Sequence, residues 1–414
     1  MKTWLLMVLA LPVTVVAATY GDLPPAAQVE RALHEHPMVR AAEAGVRAEE
    51  ANRSRLEAGP HEYALKLSGQ QRRDRPLDIT YREHEVGVER AIRLPGKATI
   101  DAALGAAGVE QARVAFGDAL HESSRLLLGS WFDWRREVAA IQDWRVQVAI
   151  LQRQREVIVK RVGAGDAARL EALLAEAQLA QAQAQLARVE ARGTDAASAL
   201  SQDFPAVTLP EVIDATTPRP VAESDEQWRA RIVEHNHELR VAVLATRRGR
   251  LTAQRLDADR LADPTVGLRM ASERGGQEHI IGLQLTIPLG GTVRLASARA
   301  AAADADAVAA REARVRARVE AEAKRTVAAA RSTHVQWQRL TDVAQRMANN
   351  ANLLEKAWRL GEGQFGDLQT ARRQAIEARL AESQARLDAN EARYRLLLDA
   401  HALWSLDNDA DHEH

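Results

Sequence analysis

The sequence predicts a mainly α-helical chain with a small β component, built as two tandem copies of one plan. Three observations carry that prediction. Residues 98–162 and 293–360 hold no proline and few glycines. At ~1.5 Å per residue each would run as a helix on the order of 95 Å long, where ordinary globular helices average about a dozen residues. Short segments recur in the same order at an offset of 195–200 residues. Four stretches alternate apolar and polar side chains with the period of two that marks a strand with two unlike faces.

The repeat is read from four matches. Arg31–Arg40 (RALHEHPMVR) precedes Arg231–Arg240 (RIVEHNHELR). His84-Glu85-Val86-Gly87-Val88-Glu89 precedes His279-Ile280-Ile281-Gly282-Leu283-Gln284, and Leu94-Pro95-Gly96-Lys97 precedes Leu289-Gly290-Gly291. Arg161-Val162-Gly163-Ala164-Gly165 precedes Arg359-Leu360-Gly361-Glu362-Gly363.

Along the chain, Met1-Lys2, the apolar run Trp4–Val16 and the small residues Val16-Ala17-Ala18 read as a secretory signal peptide over 1–18, cleaved after Ala18. No later stretch reaches 18 apolar residues. The first repeat is expected over 19–204: a helix, a strand pair within 62–94 and a helical hairpin over 98–199. A linker follows at 205–223, where Pro205, Pro210, Pro218 and Pro220 exclude a helix. The second repeat, 224–404, holds a helix, a strand pair within 264–289 and a hairpin over 293–403. A flexible acidic, histidine-bearing tail occupies 405–414.

Composition narrows the function. The 414 residues carry 56 Lys+Arg against 57 Asp+Glu, so there is no basic excess to neutralise nucleic-acid phosphates. Cys is absent, which excludes disulfides, thiolate catalysis, cysteine metal sites and a lipid anchor on cysteine. Aromatics are only 4% of residues, too few for a compact core, whereas Ala-, Arg- and Glu-rich runs suit long packed helices.

In the strands, Tyr63, Leu65 and Leu67 oppose Lys66, Ser68 and Gln70, and Val86 and Val88 oppose Gly87 and Glu89. Val266, Leu268 and Met270 oppose Gly267 and Arg269; Ile281, Leu283, Leu285 and Ile287 oppose Gly282, Gln284 and Thr286. The pattern fits a barrel wall between lipid and water, and equally a half-buried hairpin. As a barrel, four strands cannot close. Two copies supply eight, whose lumen side chains would fill; three supply twelve, which leaves a channel.

No catalytic constellation is present. Asp118, His121, Ser123 and Ser124 fall on one predicted helix with no nucleophile turn, and Gly275-Gly276 reads as a hairpin turn without a following phosphate-binding lysine. The chain is therefore read as no enzyme, with no cofactor. His34 and His36, and His235 and His237, stand at i, i+2, which on one helix would point them apart. His412 and His414, among Asp407, Asp409, Asp411 and Glu413, suit a divalent ion such as zinc, or form a plain solvated tail.

The remaining interaction signal lies at the two helix reversals. Gly163, Gly165, Gly361 and Gly363 are expected to permit the left-handed backbone of a tight turn. Arg161, Leu360 and Asp367 flank them, with Leu170 and Leu368 packing just above.

Taken together, the leader, duplicated halves, paired hairpins and long helical hairpins resemble the TolC family of outer-membrane efflux proteins. The resemblance covers nearly the whole mature chain. It is carried by Ala32-Leu33-His34-Glu35-His36-Pro37, Leu261-Ala262-Asp263-Pro264-Thr265-Val266-Gly267-Leu268, Ile281–Gly290 (IGLQLTIPLG), and Arg359-Leu360-Gly361-Glu362-Gly363 with Asp367-Leu368. The nearest branch is the outer-membrane subunits of cobalt–zinc–cadmium-type heavy-metal efflux systems. The resemblance implies a homotrimer with one 12-stranded β-barrel in outer-membrane lipid and an α-barrel across the periplasm. It also implies a periplasmic adaptor (membrane fusion) protein docked on the hairpin tips, and an inner-membrane RND-type pump behind it. The tip residues would be Arg161, Gly163, Gly165, Leu170, Leu360, Gly361, Gly363, Asp367 and Leu368. The chain departs from many relatives in lacking a lipidated cysteine, and its strands carry few aromatics.

Overall fold

The computed structural model describes residues 20–211 and 216–404. The leader at 1–18 and the tail bearing His412 and His414 lie outside the described residues.

Each half opens with two helices where the sequence suggested one. In the first half these are α1 (Ala26–Glu35) and α2 (Pro37–Ala58). Pro37 has no N–H to give α1, so the helix ends before it, and extended His36 starts a new one. The second half breaks at the same place, between α5 (Asp225–Glu234) and α6 (His237–Ala258). Here a side chain makes the break: Asn236 caps α6 by accepting the Leu239 N–H at 2.8 Å. Ser224 and Gln227 form a reciprocal capping box at the start of α5.

The strands are β1 (Ala64–Asp74), β2 (Ile79–Ala91), β3 (Thr265–Glu273) and β4 (Glu278–Thr286). The first hairpin is longer towards its turn than its apolar residues suggested. Polar pairs such as Gln71–Arg82 and Arg73–Thr80 continue the ladder past the last leucine. All four strands join one antiparallel sheet in the order β1-β2-β3-β4. The β2–β3 ladder, from His84 opposite Ser272 to Ala91 opposite Thr265, unites the two halves.

Two very long helices leave the sheet: α3 (Lys97–Gly163, 67 residues) and α7 (Thr292–Arg359, 68 residues). The returning helices α4 (Arg169–Asp203) and α8 (Phe365–Asp399) have 35 residues each, about half that length. The other half of each long helix is flanked by the helix preceding the strands. Thus α2 packs on α3 next to the sheet and α4 packs on it near the turn, while α6 and α8 do the same for α7. No helix among the described residues is long and apolar enough to cross a membrane.

The largest core lies where these short helices meet end to end. Leu127, Leu128, Trp131 and Phe132 of α3 pack there with Val29 and Leu33 of α1, Leu200 and Phe204 at the end of α4, and Tyr394 and Leu398 of α8. A second cluster repeats the motif on α7, joining Trp228 and Ile232 of α5 to Ala323, Val327 and Ala330. Most aromatics of this aromatic-poor chain gather at this belt. Elsewhere alanine contacts such as Ala175, Ala182 and Ala371 hold the helices close.

Candidate functional site

The sheet has two unlike faces. On one, register aligns Leu65, Val88, Leu268 and Leu283 in a row across all four strands, with Leu67, Val86, Met270 and Ile281 in the next. All eight side chains are exposed; Leu283 is 86% exposed. The opposite face carries cross-strand ion pairs. Lys66 Nζ meets Glu89 at 2.7 Å, Arg72 meets Glu83 at 3.0 Å and Arg269 meets Glu85 at 3.5 Å. The alternation read from sequence therefore separates an apolar wall from a charged one. β1 and β4 are the two edges of the sheet.

A buried ionic latch fixes the sheet to the helices. Lys97, at the start of α3, has a side chain only 3% exposed. Its Nζ donates to Asp263 at 2.8 Å and to the Leu261 carbonyl at 2.7 Å, and it pairs with Asp259 at 3.0 Å. Asp263, just before β3, also meets His61 at 2.8 Å and accepts the Leu94 N–H at 3.1 Å. Burial pushes the Asp263 carboxyl up, but the bonds from Lys97, His61 and Leu94 outweigh it and hold the group down at about 2. Asp101 joins Arg93 and Arg255 alongside. One latch thus ties α3, the residues before β1, those after β2, and the α6–β3 connection. The sequence offered one faint signal of it: Lys97 is one of six lysines and falls in a repeated segment.

The helix reversals are two Schellman turns of the same geometry. In the first, Asp166 N–H returns to the Arg161 carbonyl at 2.9 Å and Gly165 N–H to Val162 at 3.0 Å. In the second, Glu362 N–H returns to Ala357 at 2.9 Å and Gly361 N–H to Trp358 at 3.1 Å. The left-handed residues are Gly165 (φ 77°) and Gly361 (φ 78°) only. Gly163 is the last residue of α3. Gly363 serves closeness instead, since a Cβ there would stand 3.1 Å from the Trp358 nitrogen.

This corrects the expected equivalence of the two turns. The sequence aligned Gly163 with Gly361; the geometry aligns Gly165 with Gly361, two residues out of step. The shift explains a second difference. Leu368 is fully buried among Ile158, Ala175, Trp358 and Phe365. Leu170, expected to pack likewise, is 63% exposed, because Ala172 rather than Leu170 occupies the matching position and touches that cluster. Arg161 stacks its guanidinium 4.9 Å from the Trp358 ring while holding Asp166 at 3.1 Å, so it bridges the two turns. Leu360 is exposed at the apex. Asp367 lies exposed in the first turn of α8, where a carboxylate complements the helix dipole. Trp358 and Phe365, not singled out from sequence, fill the space between the hairpins.

The histidines also differ from expectation. His235 and His237 lie across the α5–α6 break rather than on one helix, so both rings reach His401, at 5.5 and 5.0 Å between centroids. No group of three or more His, Asp or Glu side chains placed to hold a metal ion occurs among the described residues.

No protein-family model matches the chain, and no curated protein matches it. Solved structures do. The MtrE outer membrane channel of Neisseria gonorrhoeae, in its open state, superposes with a TM-score of 0.70 at 17% identity, over 95% of this chain and 94% of that one. The outer membrane protein VceC of Vibrio cholerae gives 0.73 at 14% identity, over 92% and 99%. The CmeC outer membrane channel of Campylobacter jejuni gives 0.72 at 12% identity, over 91% and 85%. At such identities the likeness is one of architecture, and it spans nearly the full length of both partners. The chain has the TolC-type fold: tandem long helical hairpins that build an α-barrel, joined to four strands that contribute to a β-barrel.

Proposed function

We propose that the protein is the outer-membrane exit duct of a tripartite efflux system, a homotrimer that passively conducts cargo handed over at its periplasmic tips. The carrying observation is the four-stranded sheet with an exposed apolar face, a charged opposite face and two open edges. Open edges in lipid cost several kcal/mol per unmatched backbone group. Three copies close a ring of twelve strands, wide enough for a channel. The long helices α3 and α7, each ~100 Å at the usual rise, reach across a periplasm-scale gap. The fold shared with outer-membrane channels supports the same reading.

The tip residues Arg161, Gly165, Leu170, Leu360, Gly361 and Asp367 form the docking face for a periplasmic adaptor, which couples the duct to an inner-membrane RND-type pump. Exposed Leu170 and Leu360 supply apolar contact there, and Arg161 and Asp367 supply charge. Heavy-metal cations are the proposed cargo. That choice rests on the sequence resemblance, with the charged inner face of the sheet as a compatible lining.

Light scattering in detergent tests the assembly; a trimer is expected, and a monodisperse monomer would refute the duct. Recovery in the soluble periplasmic fraction would refute it too. A deletion strain is expected to lose resistance to zinc, cobalt or cadmium salts. Unchanged metal tolerance with raised drug sensitivity would keep the duct and reject the cargo.

A further inference from the structure

Four imidazoles meet at the central belt, where the two repeats join. His121 comes from α3, His235 and His237 from the α5–α6 break, and His401 from the residue after the cap of α8. His401 stacks on His121 at 5.4 Å with planes 14° apart, and His237 stands 6.3 Å from His121. The His237 ring fits over Gly117, where a Cβ would come within 2.6 Å of its Nε2. His401 is held in place by a left-handed backbone (φ 54°) and by its N–H to the Leu398 carbonyl at 3.0 Å. His121 is 6% exposed, and its Nε2 lies 3.3 Å from that same carbonyl.

We propose that this cluster is a pH-sensitive joint in which neutral His121 holds the end of α8 and the α5–α6 elbow against α3, and protonation of His121 releases them. The reading concerns the helical belt and does not depend on the cargo.

The surroundings favour a neutral ring. Burial is the main cause that pushes His121 down, to about 2, and the positive charge of Arg125 and the neighbouring His401 and His237 push the same way. The acids nearby do not offset this. Asp399 Oδ1 is 3.7 Å from His121, but Arg125 already holds it at 2.9 Å and Arg395 at 3.0 Å. Glu122 is bonded to Arg125. Glu322 of α7 pairs with Arg395, and Glu238 of α6 pairs with Arg318. Asp118, one turn before His121, is itself pushed up by burial and then by Glu122. His235 is tied through Nδ1 to the Arg231 carbonyl at 3.0 Å.

A histidine whose folded value is depressed binds its proton on opening. Its stabilising effect is complete above the ordinary value of 6.5 and declines as pH falls below it. One proton taken up on opening shifts the opening equilibrium by about tenfold between pH 7.5 and 5.5.

The test is hydrogen exchange of the full trimer in detergent at pH 7.5 and 5.5, corrected for intrinsic exchange. Peptides over 394–404 and 228–240 are expected to lose protection about tenfold at the lower pH. Peptides over 155–175, at the tips, are expected to keep theirs. His121→Gln retains a donor for Leu398 and should abolish the difference; His121→Leu, which fills the space without a titrating group, should do the same. A belt that changes no more than the tips in the unsubstituted protein overturns the proposal, as does a folded variant that keeps the full tenfold loss.

Discussion

At the first helix reversal, two neighbouring glycines should answer the same substitution in opposite directions. Gly163 and Gly165 look alike in the sequence, two residues apart around one reversal. Replacing either by alanine adds a Cβ that meets no atom within 4 Å. Space is therefore equal, and only backbone conformation differs. At Gly163, inside the last turn of α3, alanine removes unfolded-state freedom and should stabilise by about 0.4–1 kcal/mol. At Gly165, φ is 77°, where an L-residue pays roughly 1–2 kcal/mol. The two substitutions should thus differ by about 2 kcal/mol, or roughly thirtyfold in local opening. Hydrogen exchange of the Asp166 amide, which closes the turn, reads this directly. Exchange should quicken in Gly165→Ala and slow slightly in Gly163→Ala. Gly361→Ala should behave as Gly165→Ala does at the Glu362 amide. Equal effects at Gly163 and Gly165 would refute the assigned register. Gly361→Val, at the same φ, should leave trimer yield intact while weakening adaptor crosslinking at Glu362.

Lys97→Met should leave Asp259 and Asp263 without their shared cation, cost roughly 3–5 kcal/mol, and lower the yield of the proposed trimer in light scattering. Lys97→Arg should rescue it poorly, because the guanidinium does not fit three acceptors around a point charge. Leu283→Arg on the apolar face should cost about 2–4 kcal/mol in membrane assembly, while Gln284→Arg on the charged face is tolerated; equal loss in both would reverse the assignment of faces. Asp263, held below the ordinary carboxylate value of 3.8, should contribute stability that is present above that pH and lost as pH falls towards about 2. Asp263→Asn should flatten that part of an acid-unfolding curve.

What was legible in the sequence is what short periods encode. Runs free of proline gave the long helices to within a residue or two at Lys97 and Thr292. The period-two alternation gave the strand faces, because it repeats within a few residues and needs no partner to be seen. Features set by distant contacts were not legible. The β2–β3 ladder joins segments some 180 residues apart, and nothing local to Val88 names Leu268 as its neighbour. In the sequence Lys97 is only the last residue of a repeated segment, whereas its meaning comes from Asp259 and Asp263. The turn register failed for a different reason: glycines at 163, 165, 361 and 363 offered two alignments, and helix phase chose between them. That phase is fixed by Trp358, Phe365 and Leu368, which bury on one side of α7 and α8. The breaks at His36 and Asn236 fell inside a continuous helical pattern, so the histidine cluster that the break at Asn236 creates stayed hidden.

In the proposed duct, assembly is demanded at both ends of the molecule by different physics. At the sheet, the demand is polar: the β1 and β4 edges carry backbone donors and acceptors that lipid cannot satisfy. Along the helical hairpins it is apolar. Val146, Ile150 and Val157 of α3, Leu173 and Leu174 of α4, and Val335, Val343 and Leu353 of α7 are exposed. Isolated apolar residues on a surface need no explanation, but these recur along helices that also bury alanine contacts on another side. Copies arranged to close the strands in a ring bring the attached hairpins side by side in the same ring, and so cover these residues with the same symmetry. A substitution on the helices, such as Leu173→Glu, should therefore weaken the trimer although it lies far from the strands. If light scattering showed the Leu173→Glu trimer to be as stable as the parent, the helices would hang freely and the barrel edges alone would hold the copies together.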